Sequence, residues 1–388
     1  MPDTILCVDI GTSSLKAALM TDKKEPVFVS RQNFVTGHAE EWLPALKKAV
    51  SELTQKNPDY GIEAICISGN GPTIVAESEN LNAENKGCAG LKPSLCPPFA
   101  NAHCPAGNSG VPSAHTFQPI TLLHNEPIPS SLTLPKTKSI FIPRLLAFKQ
   151  LYPTEWNKAS RIFSGPEYLI YKLTGKALTI LPEERFVPAY WTHEELLRCG
   201  FTQRDSDKLP PFVKSGKFAG QITAEAQELT GLYIGTLVFC GGPDFAVALI
   251  GTGTVLPGKL CDRAGSTEGL NLCTTKPVFA EGLRTLPSVS TGFWNLGKLL
   301  KAGEDFGSAV AQLKQAAEAS GEYFPQEMTI TGGQALNENL IQEKEKQSGL
   351  KITPQYCTDA ELIGDLILAR IGLGDYDDIV EGCFAMGL

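Results

Sequence analysis

Residues 240–273 read CGGPDFAVALIGTGTVLPGKLCDRAGSTEGLNLC. An apolar run from Leu237 enters this stretch and stops at Gly241, Gly242 and Pro243, so a buried strand ends there. Asp244 follows at the corner, and residues 245–253 have the small-residue period of a tightly packed helix. Beyond Gly258 come Asp262, Gly265, Ser266 and Thr267, a turn between two further apolar segments. Glycine lets the main chain come close to a partner, and successive N–H groups in such a turn can cradle anionic oxygens. A carboxylate near that cradle suits removal of a proton from an attacking hydroxyl.

The beginning of the chain echoes this pattern. Residues 5–20 read as strand, turn, strand, with Asp9, Gly11, Thr12 and Ser13 at the turn. An Asp, a Gly and two hydroxyl residues between apolar strands therefore occur twice. Two such hairpins suggest two similar halves facing one nucleotide. For either hairpin alone an ordinary tight turn explains the same residues.

A chain of 388 residues is long enough for two domains, each with its own core. Hydrophobic residues make up 42% and charged residues 20%, a globular composition. The net charge of −8, without a long basic run, argues against nucleic acid or acidic lipid as the main partner. Small anions stay compatible, because backbone dipoles hold them locally. No leader-like start and no bilayer-length apolar run is read, so no membrane partner and a cytoplasmic location are expected. The 11 cysteines, several inside apolar strands, fit buried reduced thiols. Whether the chain forms a homodimer is left open by the sequence.

Strands expected at residues 27–29, 62–68 and 73–76, with an amphipathic helix over 40–53, give an alternating α/β order. Residues 80–135 are rich in Pro, Gly, Asn and Ser and read as irregular chain. Cys88, Cys96, Cys104, His103 and His115 fall there, but without the paired spacing of a zinc site. Helices are expected over 144–152, 164–173, 194–199 and 223–230. Further on, a strand at 288–294 should run into a helix at 295–301. Helices at 306–320, 334–346 and 359–371 should alternate with strands at 328–331 and 351–354.

With these segments in place, the chain resembles the FGGY family of carbohydrate kinases, which includes xylulose, gluconate and glycerol kinases. The resemblance is collinear. It rests on DIGTSSLKA at residues 9–17, ISGNGP at 67–72, SIFIPRL at 139–145 and GPEYLIYKLTG at 165–175. It continues through the 240–273 stretch, ITGGQALN at 330–337 and DAELIGD at 359–365. The resemblance implies an α/β fold of two actin-like, ribonuclease-H-like domains with a cleft between them. The expected division is a substrate domain over residues 1–236 and a shortened nucleotide-binding domain over 237–388. It implies ATP and Mg²⁺ as cofactors and a small sugar or polyol as substrate.

Carried over by position, Asp244 is the expected general base and Asp9 the expected Mg²⁺ ligand. Gly11, Thr12, Ser13 and Lys16 are expected near the transferred phosphoryl group, and Gly265, Ser266 and Thr267 in a second phosphate loop. Gly332, Gly333, Gln334 and Asn337 are expected around the nucleotide. Asn70, Glu167 and Tyr168 are candidates for the substrate, as are Glu183 and Glu184.

Two features depart from the family. Leu123, Asn125 and Pro127 stand where a Trp, an Asp and an Arg normally meet the sugar. The connection between Trp294 and Met328 is short, and only a helix-sized link is expected there. The leading expectation is ATP-dependent phosphorylation of a sugar or polyol hydroxyl. The alternatives are a catalytically weak nucleotide- or sugar-binding regulatory protein of the same fold, and an actin-like ATPase.

Overall fold

The fold was analysed in a computed structural model that describes residues 3–23, 25–77, 119–265, 268–301 and 303–388. The cysteines and histidines at 88–115, read as lacking zinc spacing, lie outside these residues, as do Ser266 and Thr267.

The chain opens with a meander of β1 (Asp3–Ile10), β2 (Ser14–Met20) and β3 (Pro26–Asn33). Helix α1 (Trp42–Lys56) then crosses to β4 (Gly61–Gly69), which pairs parallel to β1. The crossing follows from the helix pattern: Trp42, Leu46, Ala49, Val50 and Leu53 share one face, and all five are buried. Each large apolar side chain removed from water there contributes about 1.5–3 kcal/mol.

A second group of elements follows. It contains β5 (Ile74–Glu77), β6 (Ile120–Leu122), α2 (Ile142–Leu151), α3 (Pro153–Lys158), β7 (Arg161–Phe163) and α4 (Glu167–Thr174). It continues with β8 (Thr179–Leu181), α5 (His193–Arg198), α6 (Gln203–Ser206), β9 (Phe212–Lys214), β10 (Phe218–Gln221) and α7 (Ala224–Thr230). Helix α7 starts on the Thr223 side chain and ends at left-handed Gly231, as the sequence signals require. An aromatic cluster of Phe141, Tyr190, Trp191 and Phe212 packs this group together.

Strand β11 (Leu237–Pro243) completes the first six-stranded sheet, in the order β10-β11-β4-β1-β2-β3. The expected division at 236/237 is therefore misplaced. Residues 237–243 pair parallel to β4, and α8 (Asp244–Gly251) follows directly from that strand. The apolar run that marks the strand carries no sign of which sheet it joins; the parallel register with β4 decides it.

The second sheet begins with β12 (Leu260–Ala264), β13 (Glu268–Thr274), β14 (Arg284–Pro287) and β15 (Trp294–Leu299). Helix α9 (Phe306–Ala319), β16 (Glu327–Thr331), α10 (Glu338–Ser348) and β17 (Lys351–Pro354) complete it. Its order is β14-β15-β13-β12-β16-β17. Residues 295–301, expected as a helix, are mostly strand, because β15 pairs antiparallel with both β13 and β14. The link between Trp294 and Met328 accordingly holds a strand as well as a helix.

The two sheets share one plan. In the first, β1 pairs antiparallel with β2 and parallel with β4, which pairs parallel with β11. In the second, β12 pairs antiparallel with β13 and parallel with β16, which pairs parallel with β17. The two hairpins read from the sequence are thus the corresponding central hairpins of two similar sheets.

Helices α11 (Ala360–Leu373) and α12 (Ile379–Ala385) close the chain. Although α11 follows the second sheet in sequence, it packs on α8 and against β1, β4 and β11. Glycines set that approach. A Cβ on Gly251 would stand 1.8 Å from the Ala360 carbonyl oxygen, and one on Gly364 would stand 2.2 Å from that of Val247. Small residues at both crossing points let the backbones touch, and this brings the start of α11 to the ends of β1 and β11.

Candidate active site

Asp9 is the penultimate residue of β1, and its register partner on β2 is Lys16. The Lys16 ammonium lies 3.4 Å from Asp9 Oδ2 and 2.8 Å from Asp359 Oδ1. Arg31 on β3 also reaches Asp359, at 3.4 Å. Asp359 sits at the N-cap position of α11 but makes no side-chain cap bond, so its carboxylate faces these cations. Asp9 is 3% exposed, and its Oδ1 is buried without a hydrogen-bond partner. Burial raises the Asp9 carboxyl, while Lys16 opposes that rise.

Asp244 is the first residue of α8, placed by the abrupt end of β11. Gly241 is needed on the way: a Cβ there would stand 2.4 Å from the Ile67 carbonyl and 2.5 Å from Asp365 Oδ1. The Asp244 Oδ1 accepts a 2.6 Å hydrogen bond from the Phe245 N–H. Burial pushes the Asp244 carboxyl up to about 6, and the charge of Asp9 adds to the rise. Arg263 and Lys16 act in the opposite direction. Glu361, in the first turn of α11, is raised by burial and then by the Asp9 charge, with Asp244 adding to it. Three carboxyl groups from β1, α8 and α11 therefore act on one another across a small space.

Gly11 closes the first hairpin with its N–H donated to the Ser14 carbonyl at 2.9 Å. Thr12 is half-buried beside it and Ser13 is exposed. In the second hairpin, Gly265 is exposed just after β12. Gly332 has φ +86°, and a Cβ there would stand 2.5 Å from the Ala264 carbonyl and 2.9 Å from the Gly265 nitrogen. The turns at 265 and 332 thus touch. Gly333 next to them is exposed and has open space where a side chain would be. Gln334 donates to Glu268 Oε2 at 3.0 Å, and Asn337 caps α10 through the Leu340 N–H. Lys344 binds Asp262 at 2.6 Å and Glu268 at 2.9 Å, which fixes this end of the second sheet.

Of the substrate candidates, Glu167 lines a cavity of about 680 Å³ that opens beside Asp244, bordered by Pro243 and Phe245. Its Oε1 accepts from the Ile180 N–H and the Ser164 hydroxyl, while its buried Oε2 has no partner. Tyr168 does not line the cavity; its ring packs between Trp42 and Phe163 in the core. Asn70 is 3% exposed and bonds Ile10, Thr73 and His124, tying the end of β4 to that of β1. Glu183 pairs with Arg185 and Glu184 with Lys214.

Sequence reasoning passed over Asp359, Glu361 and Arg263. A trace of Glu361 was present: Glu361 and Asp365 lie four residues apart in a mostly apolar helix, on one face. Arg263 lies on β12, acts on the Asp244 carboxyl and has a buried Nε without a partner.

Mg²⁺ fits this donor set in a limited way. The orphaned Asp9 Oδ1 offers an oxygen to a cation. Among the described residues no cluster of three or more acidic, His or Cys side chains forms a metal cage. Mg²⁺ bound to phosphates needs only one or two protein carboxylates.

Two α/β sheets built on one plan, with carboxyl groups of β1, α8 and α11 acting on one another, define the class: this is the fold of the FGGY carbohydrate kinases, which have two actin-like domains. The chain is 25% identical over 296 residues to a xylulose kinase of Staphylococcus epidermidis, a match covering 70% of this chain and 53% of that protein. Among solved structures it is similar to xylulose kinase from Lactobacillus acidophilus, with TM-score 0.68 and 14% identity. It is also similar to Plasmodium falciparum glycerol kinase with ADP, with TM-score 0.70 and 12% identity. Each structural match covers 99% of this chain and 92% of the other. No family model matches. The chain spans about half the length of the curated relatives it matches; it is similar in sequence to xylulose kinases and in fold to xylulose, gluconate and glycerol kinases.

Proposed function

We propose that the chain transfers the terminal phosphoryl group of ATP to a hydroxyl of a small polyhydroxy substrate, a sugar or polyol. The observation that carries this reading is the position of Asp244, which acts with Asp9 and Lys16 and lies between Pro243 and Phe245, two residues that line a cavity of about 680 Å³. A carboxyl raised to about 6 is still ionised at neutral pH and is more basic than an ordinary Asp. It takes the proton from the substrate hydroxyl as that oxygen bonds to phosphorus and ADP leaves. Lys16, held by Asp9 and Asp359, supplies positive charge at the first hairpin. Asp9 is the residue that would hold Mg²⁺, directly or through water; the ion neutralises phosphate charge when bound. The Gly265 and Gly332–Gly333 turns, which touch, leave open backbone for the nucleotide.

On this reading the seam between the substrate and nucleotide units falls after α8; the membership of β11 in the first sheet supports that. Eight cysteines among the described residues are free, which supports a reducing, cytoplasmic setting. Among the described residues no helix is long and apolar enough to cross a membrane.

The test is ADP release against a panel of pentuloses, hexoses, polyols and sugar acids, with a no-substrate control and an Asp244→Ala variant. Substrate-dependent ADP release that Asp244→Ala abolishes supports the reading. Nucleotide binding without product across the panel would instead favour the regulatory-protein alternative.

A further inference from the structure

The cavity beside Asp244 has a composition that narrows the substrate. Its walls are mainly apolar and aromatic: Phe141, Phe186 and Tyr190 come from the first unit, Phe245 from the corner after Asp244, and Trp294 from β15. A free sugar exposes hydroxyls on every side and leaves most of them unpaired against such walls, which is unfavourable. The volume of about 680 Å³ lies in the range that encloses a drug-sized ligand.

The polar groups are few and placed at opposite ends of the electrostatic scale. Glu167 is the one acid on the wall; it is 3% exposed and has an unpartnered Oε2 that can accept from a hydroxyl. Three cations also border the cavity. Arg185 is held by Glu183 at 2.9 Å and stacks over Trp294 at 5.2 Å. Lys138 and Arg284 are exposed and have no ion-pair partner among the described residues. Partial burial and then the charge of Arg263 disfavour the charged form of Arg284. Lys138 and Arg284 at the cavity border leave positive charge there that an anion would pair with.

Resting on the kinase reading, we infer that the substrate is a conjugated sugar or polyol. It carries hydroxyls that meet Glu167 and Asp244, a flat apolar group that packs on the aromatic walls, and an acidic group that meets Arg284. Free pentuloses and simple polyols lack the second and third parts.

Calorimetry with four probes tests this: phenyl β-D-glucuronide, phenyl β-D-glucoside, gluconate and D-xylulose. Mg·ATP is titrated separately. The glucuronide is expected to bind at least about tenfold tighter than each of the other three, since it alone combines stacking with a charge-assisted contact. Arg284→Ala, at an exposed position, should weaken the glucuronide about tenfold and leave the glucoside unchanged. Xylulose or gluconate binding as tightly as the glucuronide overturns the inference and leaves the kinase reading intact. If Arg284→Ala weakens Mg·ATP and not the glucuronide, Arg284 serves the nucleotide and the acidic group is wrong. Failure of Mg·ATP to bind while the glucuronide binds removes the kinase reading instead.

Discussion

Lys16 joins the two ends of the chain: its Nζ lies 2.8 Å from Oδ1 of Asp359, 343 positions later (359 − 16). The same ammonium is 3.4 Å from Asp9. One cation thus holds two carboxylates from β1 and from the start of α11. Lys16 opposes the rise that burial causes in the Asp9 carboxyl. Lys16→Met keeps the aliphatic length and removes the charge. It should lower stability by roughly 1–3 kcal/mol, because Asp9 loses its cation and Asp359 keeps only Arg31. On the proposed reading it should also reduce turnover more than it reduces substrate binding. Urea unfolding and steady-state kinetics check the two parts; an unchanged midpoint would show that solvent already screens the cluster.

The Asp244 carboxyl, raised to about 6, sets a pH dependence. A general base works in its ionised form, so kcat/KM should fall as pH drops through about 6 and level off above it. Asp244→Asn should cost about 10²–10⁴-fold in rate and remove that limb. Glu361, raised to about 7 by burial and by the charges of Asp9 and Asp244, is mostly protonated where Asp244 titrates. Glu361→Gln should therefore leave the limb in place while substrate affinity stays close to the parent. A limb that moves to lower pH in Glu361→Gln would mean that Glu361 carries charge where Asp244 titrates.

The legible and illegible parts of the chain divide along physical lines. The central hairpins, α1 and α7 were readable because each is decided locally, by period, cap or turn residues. Asp9 and Asp244 were readable because each ends an apolar strand at a glycine-rich corner. The misplaced division at 236/237 and the misread segment 295–301 were decided by pairing, with β4 in one case and with β13 and β14 in the other. Asp359 and Glu361 were missed for the same reason. Their helix reaches the site only through the Gly251 and Gly364 crossing, which no local pattern announces. Tyr168 does not line the cavity, because helix α4 turns its ring toward Trp42.

Asp365 offers a test of the fold that does not depend on function. It is fully buried and accepts a 2.8 Å bond from the Ser68 hydroxyl, with the Cys66 thiol at 3.5 Å. Burial raises its carboxyl well above the usual range. The folded chain therefore keeps a proton that the unfolded chain releases near pH 4, so this group subtracts stability as pH rises above about 4. Asp365→Asn keeps an oxygen for Ser68 and removes the ionisation. Its Tm should match the parent near pH 4 and exceed it increasingly toward about pH 8. Parallel Tm curves for the two proteins would show that Asp365 is not the group responsible.

The adjacent glycines 332 and 333 separate folding from ligand approach. Gly332 has φ +86° and its Cβ would meet the Ala264 carbonyl at 2.5 Å, so Gly332→Ala strains the turn and should lower stability by roughly 1–3 kcal/mol. Gly333 has no such contact and is exposed. Gly333→Ala should leave the unfolding midpoint within about 0.5 kcal/mol of the parent, or raise it slightly by stiffening the unfolded chain. If the nucleotide lies against this backbone, the added methyl group occupies its place. Mg·ATP affinity in Gly333→Ala should then drop about tenfold while the fold is unchanged, as a close backbone approach demands. Full ATP affinity in a stable Gly333→Ala protein would move the nucleotide away from the 332–333 turn and leave Gly332 with a purely structural role.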